Sequence, residues 1–387
     1  MTVFDALIGQ PEVVALLTEA SRAAASVVEG DAGAGMTHAW LFTGPPGSGR
    51  SVAARAFAAA LQCRTGGCGG CHECHTALSG AHADVEIVTP AGLSYGVAET
   101  RQLVTRSALA PTQGRWQVTI VEDADRFTEQ ALNALLKAIE EPPPRAVWLL
   151  CAPSSEDLLP TIRSRCRLVS LRIPPYDDVA DYLEREGVER SVAAFAARAA
   201  QAHVGRARRL AVDEDARRRR RDVLELPGQV TTVAACFTAA ANLVDAAREE
   251  AGAITESLDA SETTALKEAL GDVGGRGKTR PRGVAGALSD LEKRQRSRAT
   301  RTQRDALDRA LLDLAAFYRD VLMLQLGADV ELLNGDLQRA LHRLAESSTP
   351  ESTLRRIEAI LACREAIDTN VAPLLAVESM AVALHQG

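Results

Sequence analysis

The residues best suited to chemistry form a glycine-rich segment near the start of the chain. Gly44, Gly47, Gly49 and Ser51 follow the spacing of a phosphate-binding loop, with Arg50 where lysine is usual. In such a loop backbone N–H groups converge on phosphate oxygens, the lysine reaches the terminal phosphates and the hydroxyl holds magnesium. Arginine keeps the charge but presents a broad planar fork, so the exchange is not conservative in a tight cradle. The segment predicts either a functional site for ATP and Mg²⁺ or a phosphate-binding loop that has lost this activity.

Four cysteines form a second candidate site. Cys63, Cys68, Cys71 and Cys74 have the pattern C-x4-C-x2-C-x2-C, and the glycines between them supply tight turns. Four thiolates at this spacing suit a tetrahedral Zn²⁺ with a closed shell, which is a structural rather than a catalytic site. An iron–sulfur cluster is the alternative for the same ligands. Disulfides conflict with the cytoplasmic location inferred next.

Composition limits the class of protein. The 44 basic and 51 acidic residues give a net charge of −7, which disfavours polyanion binding by the chain as a whole. The first residues lack the basic-then-apolar layout of a signal peptide, and no apolar run approaches the roughly 20 residues that span a bilayer. We therefore expect a soluble cytoplasmic protein without membrane contact.

Apolar runs and helical stretches alternate through the first half of the chain. A helix over 51–61 directly follows the glycine-rich segment, and others are predicted over 97–108 and 128–140. This alternation predicts a parallel sheet covered by helices on both faces, an α/β architecture. The predicted strands are residues 38–43, 84–89, 117–121, 146–151 and 167–171.

The remainder of the chain is predicted to be helical. Pro174-Pro175 marks a boundary, followed by short helical patterns to about residue 222 and longer ones beyond. Residues 271–304 interrupt these helices with ten basic residues against three acidic ones, a net charge of +7. We expect a flexible insertion there, serving as a solvated linker or as a nucleic-acid contact.

Several segments resemble one known family. Besides the phosphate loop and the cysteines, the chain carries Asn133-Ala134-Leu135-Leu136-Lys137-Ala138-Ile139-Glu140-Glu141-Pro142-Pro143 and Ser164-Arg165-Cys166. Further matching segments are residues 4–10, 38–51, 97–101 and 110–115. In combination, over about residues 1–210, these resemble the delta-prime subunits of the bacterial clamp loader of DNA polymerase III, in the AAA+ superfamily.

The resemblance implies three domains and a set of partners. It implies an AAA+ P-loop domain over 1–173 with a zinc module at 63–74, a helical lid over 174–222 and an all-α collar over 223–387. The implied partners are the motor subunits and delta, the sliding clamp, and primed DNA through the assembly. Polymerase activity would belong to that assembly, because we find no cluster of carboxylates suited to nucleotide addition in this chain.

The family contains both ATP-hydrolysing and silent subunits, so each catalytic position matters. Motor subunits carry Asp-Glu after the third strand, whereas this chain has Glu122-Asp123, a degenerate Walker B pair. The side-chain lengths are exchanged, which moves each carboxylate by roughly 1 Å and harms in-line geometry. A polar sensor is expected after the fourth strand, but Ala152 and Pro153 stand there. Arg208 matches the second sensor arginine, or is a helix-surface residue.

Arg165 keeps its family motif. The resemblance implies that the arginine of Ser-Arg-Cys reaches the neighbouring subunit's nucleotide site as an arginine finger. A finger supplied in trans can raise phosphoryl transfer by about 10³-fold or more. The alternative is a surface charge near a strand start.

Three functional hypotheses follow. The first is a clamp-loader stator that holds zinc and lends Arg165 to a neighbour. The second is an ATP-hydrolysing motor subunit of the same loader, and the third is a stand-alone zinc-dependent DNA-binding protein. The resemblance also makes Thr100, Arg101, Arg115 and Lys137 candidate DNA-backbone contacts, whereas the arginine run at 217–221 fits a solvated or subunit-facing helix.

Overall fold

The computed structural model describes residues 2–30, 35–90, 94–269 and 284–387. The chain divides into two compact units, Met1–Val212 and Asp213–Gly387. All five predicted strands are present in the first unit, which confirms the α/β prediction. They are β1 (Ala39–Thr43), β2 (Val85–Val88), β3 (Gln117–Val121), β4 (Ala146–Ala152) and β5 (Arg167–Ser170).

The strands form one parallel sheet in the order β2-β3-β4-β1-β5. Trp40 on β1 lies opposite Leu149 on β4 and Arg167 on β5, so β1 is enclosed on both sides. Strands β1, β3 and β4 are buried along their whole length, which explains why they read as continuous apolar runs. The carboxyl ends of parallel strands meet at one edge, and the glycine-rich loop and the acidic pair both follow strands at that edge.

Nine helices are described in the first unit. Alternate side chains of β1 enter two cores, with Trp40 and Phe42 on one face and Leu41 on the other. Trp40 meets Phe57 edge to face at a centroid distance of 4.9 Å, which fixes the alanine-rich second helix against the sheet. The helices are α1 (Pro11–Glu29), α2 (Arg50–Gln62), α3 (His72–Ser79), α4 (Val97–Ser107), α5 (Glu129–Glu140), α6 (Pro160–Arg163), α7 (Tyr176–Arg185), α8 (Arg190–Ala199) and α9 (Val204–Val212).

The second unit is all helical where it is described. Its helices are α10 (Glu214–Gln229), α11 (Val233–Ala269), α12 (Val284–Gln325), α13 (Gln338–Ser347), α14 (Pro350–Asp368) and α15 (Pro373–Gln386). Their shared core contains Leu243, Leu311, Phe317 and Met380. None of the helices in the described ranges combines the length and the apolar character of a bilayer-crossing segment.

The boundary between units lies earlier than the predicted lid–collar boundary at 222. Asp213 accepts a hydrogen bond from the amide of Ala216 and so caps α10. The helix then buries Arg220 and Leu224 in the second unit. The predicted boundary falls inside a single helix, because a run of five arginines interrupts the apolar pattern that would mark the buried face of that helix.

Part of the predicted flexible insertion is helical. Residues 284–304 form the first half of α12, while residues 271–283 lie outside the described part of the chain. Arg298 pairs with Glu262 and, at 3.2 Å, with Asp259 of α11, and Gln295 donates to the Asp259 carbonyl oxygen at 3.0 Å. Residues 284–304 are therefore helical, and Arg298 joins them to α11, so the prediction of a flexible insertion was wrong for these residues.

A buried polar network links the elements of the second unit. The Arg220 guanidinium donates to Asp313 at 3.2 Å and to the side-chain oxygen of Asn334. Asn334 in turn donates to Asp320 through its amide nitrogen at 2.7 Å and its side chain at 2.9 Å. All four residues are buried. Such a buried network is stabilising only while each of its polar groups keeps its hydrogen-bond partners. It therefore holds α10, α12 and the loop before α13 in one arrangement.

Candidate functional site

The glycine-rich loop turns sharply between β1 and α2. Gly44, Gly47 and Gly49 have φ of 150°, 91° and 91°, backbone angles that residues other than glycine rarely adopt. A Cβ at Gly44 would collide with the Leu171 carbonyl oxygen and approach the Ser48 hydroxyl at 2.6 Å. The loop leads directly into the first turn of α2, whose amides have no partner within the helix. The geometry is that of an anion-binding cradle.

The two residues that end the motif open α2. The Arg50 guanidinium folds back and donates from Nη1 to the Gly44 carbonyl oxygen at 2.9 Å. Arg50 and Ser51 are both half-buried. The arginine thus closes its own loop, a contact that has to be released or shared when a phosphate group enters.

The acidic pair follows β3 as predicted, but one member is already paired. Glu122 Oε1 lies 2.8 Å from Arg55 Nη2 on α2. Asp123 has a left-handed backbone with φ of 52°. The Tyr95 hydroxyl lies 2.6 Å from the Glu122 carbonyl oxygen and fixes the strand end. Beyond them, burial raises the pKa of Asp125 above its ordinary value.

The sensor position has no side-chain donor. Ala152 is the last residue of β4, and the Pro153 carbonyl oxygen accepts from the Gly44 amide at 3.1 Å. Ser154 accepts from the Glu156 amide at 3.2 Å and caps a short 3₁₀ turn. The nearest hydroxyl in the chain is therefore engaged in local structure.

Arg165 lies on the surface just after α6. Its Nη2 is 2.7 Å from Glu140 Oε1 at the end of α5, and its Nη1 donates to the Thr161 carbonyl oxygen at 2.8 Å. The side chain is 40% exposed. Arg163 pairs with Glu156, and Arg167 lies over the Trp40 ring at 5.1 Å from its centroid. The Arg165 guanidinium is thus held at the surface by contacts within the chain, in a partly exposed position.

The residue before α9 contacts the glycine-rich loop, and the sequence analysis did not identify it. His203 packs against Gly47, where an added Cβ would lie 3.0 Å from the His203 Cβ. Arg208, the predicted second sensor, is 62% exposed, and its Nη2 lies 3.5 Å from Glu186 Oε2. The missing signal was that His203 immediately precedes α9, whose start faces the loop.

The four cysteines converge as predicted. Their sulfur atoms all lie within 4.8 Å of one another, with Cys63 and Cys74 buried and Cys68 exposed. Cys71 caps α3 and accepts from the Cys74 amide at 3.4 Å. Burial opposes the Cys63 thiolate, but hydrogen bonds from Thr65 and from backbone amides outweigh it and lower the Cys63 pKa to about 6. This set of thiols is arranged to hold a metal ion such as zinc.

The N-terminal segment connects the cysteine module with the residues between β5 and α7. The Val3 amide donates to the Gly67 carbonyl oxygen at 3.0 Å, inside the cysteine module. At its other end the Gln10 side chain donates to the Arg172 carbonyl oxygen at 2.5 Å, and Gly9 packs against Pro174 and Pro175. We call residues 2–10 the N-terminal strap.

The candidate DNA contacts are not alike. Thr100 is buried and donates to the Gly96 carbonyl oxygen at 2.9 Å, so the prediction of a phosphate contact there was wrong. Arg115 donates to the Cys63 carbonyl oxygen at 3.3 Å and is half-buried. Arg101 and Lys137 are exposed.

A buried carboxylate orders the loop before β3. Asp84 is 1% exposed and accepts from the amides of Thr112 and Gln113 at 2.7 and 2.8 Å, and from that of Gly114. Burial opposes its charge, but the hydrogen bonds outweigh burial and hold the Asp84 pKa below its ordinary value.

Comparison with known proteins agrees with this architecture. The family model for DNA polymerase III, delta subunit matches residues 24–175, and that for its C-terminal part matches residues 302–385. A delta-prime subunit of Bacillus subtilis is 26% identical over 91% of this chain and 92% of its own length. One of Haemophilus influenzae is 35% identical over 38% of this chain and 46% of its own.

Gamma/tau subunits are also similar. The DNA polymerase III subunit gamma/tau of Mycobacterium tuberculosis is 35% identical over 48% of this chain, and the chain spans about a third of that relative's length (32%). A solved gamma-subunit-related protein of Thermotoga maritima aligns over 95% of this chain at 15% identity and a TM-score of 0.41, so the fold assignment rests on the sheet and the family models instead. With matches to DNA polymerase III delta-subunit models in both units and to two delta-prime subunits, the chain belongs to the delta-prime family of clamp-loader subunits of DNA polymerase III.

Proposed function

We propose that this chain is a stator of the clamp loader that helps open the sliding clamp and load it on primed DNA. Its partners in this role are the motor subunits, the delta subunit, the clamp and the DNA held by the assembly. The carrying observation is an exposed Arg165 in a chain whose own acidic residue Glu122 is paired with Arg55. The similarity to a delta-prime subunit over 91% of the chain supports the assignment.

Arg165 would act on a neighbour rather than on this chain's own loop. A guanidinium stays charged and presents donors that match phosphate oxygens, which suits it to charge developing on a transferred phosphoryl group. Its contacts with Glu140 and the Thr161 carbonyl oxygen restrict the side chain before a neighbour arrives. That restriction lowers the entropy lost on docking.

The motor alternative is less well supported. Hydrolysis needs a phosphate clamp, a magnesium ligand and a positioned water at once. Here Arg50 donates to its own loop, Glu122 is paired with Arg55, and position 152 offers no donor. We therefore assign turnover to other subunits of the ring.

The cysteine module has a structural role in this proposal. Four sulfur atoms within 4.8 Å fit tetrahedral zinc, and four thiolates leave no position for substrate. Zinc would hold the module in the shape that receives Val3 and Arg115.

Reconstitution tests the proposal. Clamp loading on primed DNA is measured with a complete set of loader subunits, with and without this chain. We expect loading only when the chain is present, and expect the isolated chain to show no DNA-stimulated ATP turnover. Full loading without the chain, or turnover by the chain alone that Arg50→Ala abolishes, would overturn the stator assignment.

A further inference from the structure

The metal position of the phosphate site holds a cation of the chain itself. In AAA+ phosphate sites the loop hydroxyl and the carboxylate after the third strand serve magnesium. The corresponding carboxylate here, Glu122, is 17% exposed and lies 2.8 Å from Arg55 Nη2. Arg55 follows Ser51 by four residues, so both lie on one face of α2. The carboxylate that would serve magnesium is therefore already paired with a guanidinium.

The local charge balance also disfavours a divalent cation. The buried thiol of Cys151, on the neighbouring strand, lies in the field of Glu122, Asp123, Arg50 and Arg55. With Asp125 and Arg126, which lie beside Asp123 and Arg50, three acidic and three basic side chains surround this strand end and balance in number. A magnesium ion would add two positive charges and would have to displace Arg55 from a partly buried ion pair, leaving that guanidinium without its counter-charge. The residues present do not fit Mg²⁺.

The cradle for the anion is nevertheless intact. The three loop glycines keep their positive φ, and α2 continues for 13 residues beyond them. Ser48 is 4% exposed, its hydroxyl lies inside the turn against Gly44, and it has no hydrogen-bond partner among the described residues. A buried hydroxyl without a partner is unfavourable, and a phosphate oxygen in the loop could accept its hydrogen bond. Arg50 adds a cation at the same loop.

We propose that this loop binds the phosphate chain of a nucleoside diphosphate or triphosphate without magnesium, because the Arg55–Glu122 pair stands in the place of the metal. The inference rests on the proposed function in treating the site as non-hydrolytic, but it does not depend on the role of Arg165. A nucleotide held in this way would stay bound unhydrolysed, since no metal is present to bridge its phosphates.

Calorimetric titration of the full chain with ADP, in excess magnesium and in excess EDTA, tests the proposal. We expect dissociation constants that agree within about threefold. Binding at least about tenfold tighter in magnesium, or no binding in either buffer, would overturn it. Inorganic diphosphate is the second probe. If inorganic diphosphate binds in EDTA, the loop recognises the phosphate groups, as proposed. If ADP binds but inorganic diphosphate does not, the affinity comes from the nucleoside, which would contradict the proposal.

Two variants make the role of the ion pair specific. Arg55→Ala frees Glu122, so we expect magnesium to strengthen ADP binding by about tenfold in this variant. Arg106→Ala is the matched control, because Arg106 is also paired, with Glu86 at 2.7 Å, but lies on α4. Its ratio of affinities in the two buffers should stay near one. No gain of magnesium dependence in folded Arg55→Ala would contradict the assignment.

Glu122→Gln provides a further arm in case Arg55→Ala does not fold. If Glu122 holds no metal, the substitution leaves the affinity ratio between magnesium and EDTA unchanged. A loss of affinity seen only in magnesium would show that Glu122 is a metal ligand and would overturn the proposal. Because binding is measured on the chain alone, this result is independent of the loading assay in the assembled ring.

Discussion

At the scale of single residues, the site depends on how each charged group is already engaged. A motif comparison sees Glu122 and Asp123 as exchanged acids and leaves a residual magnesium site possible. The structure adds that Arg55 pairs with Glu122, a contact between residues 67 positions apart. Nothing in a single sequence indicates such a pair, because arginine on the exposed side of a helix is common.

Asp84 should carry more stability than its position in a loop suggests. We predict that Asp84→Asn lowers the free energy of unfolding of the first unit by about 2–4 kcal/mol at neutral pH, since its amide group cannot accept all the hydrogen bonds that the carboxylate accepts. Urea unfolding followed by tryptophan fluorescence measures this unit, because Trp40, Trp116 and Trp148 all lie in it.

The Asp84 effect should depend on pH. Its folded-state pKa lies below the unfolded value of about 3.9, so the contribution is present above that value and is lost as pH falls through the folded pKa. The gap between wild type and Asp84→Asn should therefore narrow in acid. Asp181→Asn, at an exposed position on α7, is the control and should stay within about 0.5 kcal/mol of wild type. Equal stability of Asp84→Asn and wild type at neutral pH would contradict this account.

At the scale of elements, the features that the sequence predicted correctly are those that neighbouring residues determine. The five strands are apolar runs bounded by turns, and the four cysteines converge because their spacing alone constrains them. Residues 284–304 were predicted to be flexible because the contact that joins them to α11, from Arg298 to Glu262, spans 36 positions and leaves no local signal. The N-terminal strap escaped notice for the same reason, since Gln10 finds its partner 162 positions later.

Removal of the metal should release the N-terminal strap. Without an ion the four sulfur atoms repel or protonate, and the turn that presents the Gly67 carbonyl oxygen to Val3 loses its support. Hydrogen exchange with and without a chelator should show faster exchange in residues 2–10 as well as in 63–79. Cys68→Ser should reproduce this in untreated protein, whereas Cys236→Ala, outside the cluster, should not. Unchanged protection of the strap in metal-free protein would show that it does not depend on the module.

The buried network of the second unit should be sensitive to one substitution. Arg220→Ala leaves Asp313 buried without its cation, and we expect a loss of about 3–5 kcal/mol in the free energy of unfolding of this unit. Urea unfolding followed by far-ultraviolet circular dichroism measures it. Arg218→Ala removes an exposed pair with Asp215 and should cost less than about 1 kcal/mol. Similar losses in the two variants would mean that burial of the network contributes little.

At the scale of the whole molecule, the chain combines a parallel-sheet unit that carries a glycine-rich loop with an all-helical unit, and we propose that its phosphate site works without magnesium. The net charge of −7 favours a role among protein partners over independent DNA binding. On this account, the subunit retains the fold because its surface, above all Arg165, serves a neighbour. On this account the chain does not hydrolyse ATP itself and instead supplies Arg165 to a subunit that does.

The most direct test is clamp- and DNA-stimulated ATP turnover by a reconstituted loader that contains Arg165→Ala. We predict that ATP turnover at the site that Arg165 contacts falls by about 10³-fold or more. Size-exclusion chromatography should show that the ring is still assembled. Arg163→Ala is the matched control, since Arg163 lies two residues away and is also exposed and paired. Its turnover should match wild type. Unchanged turnover with Arg165→Ala in an intact ring would contradict the finger assignment and leave the chain a purely architectural role.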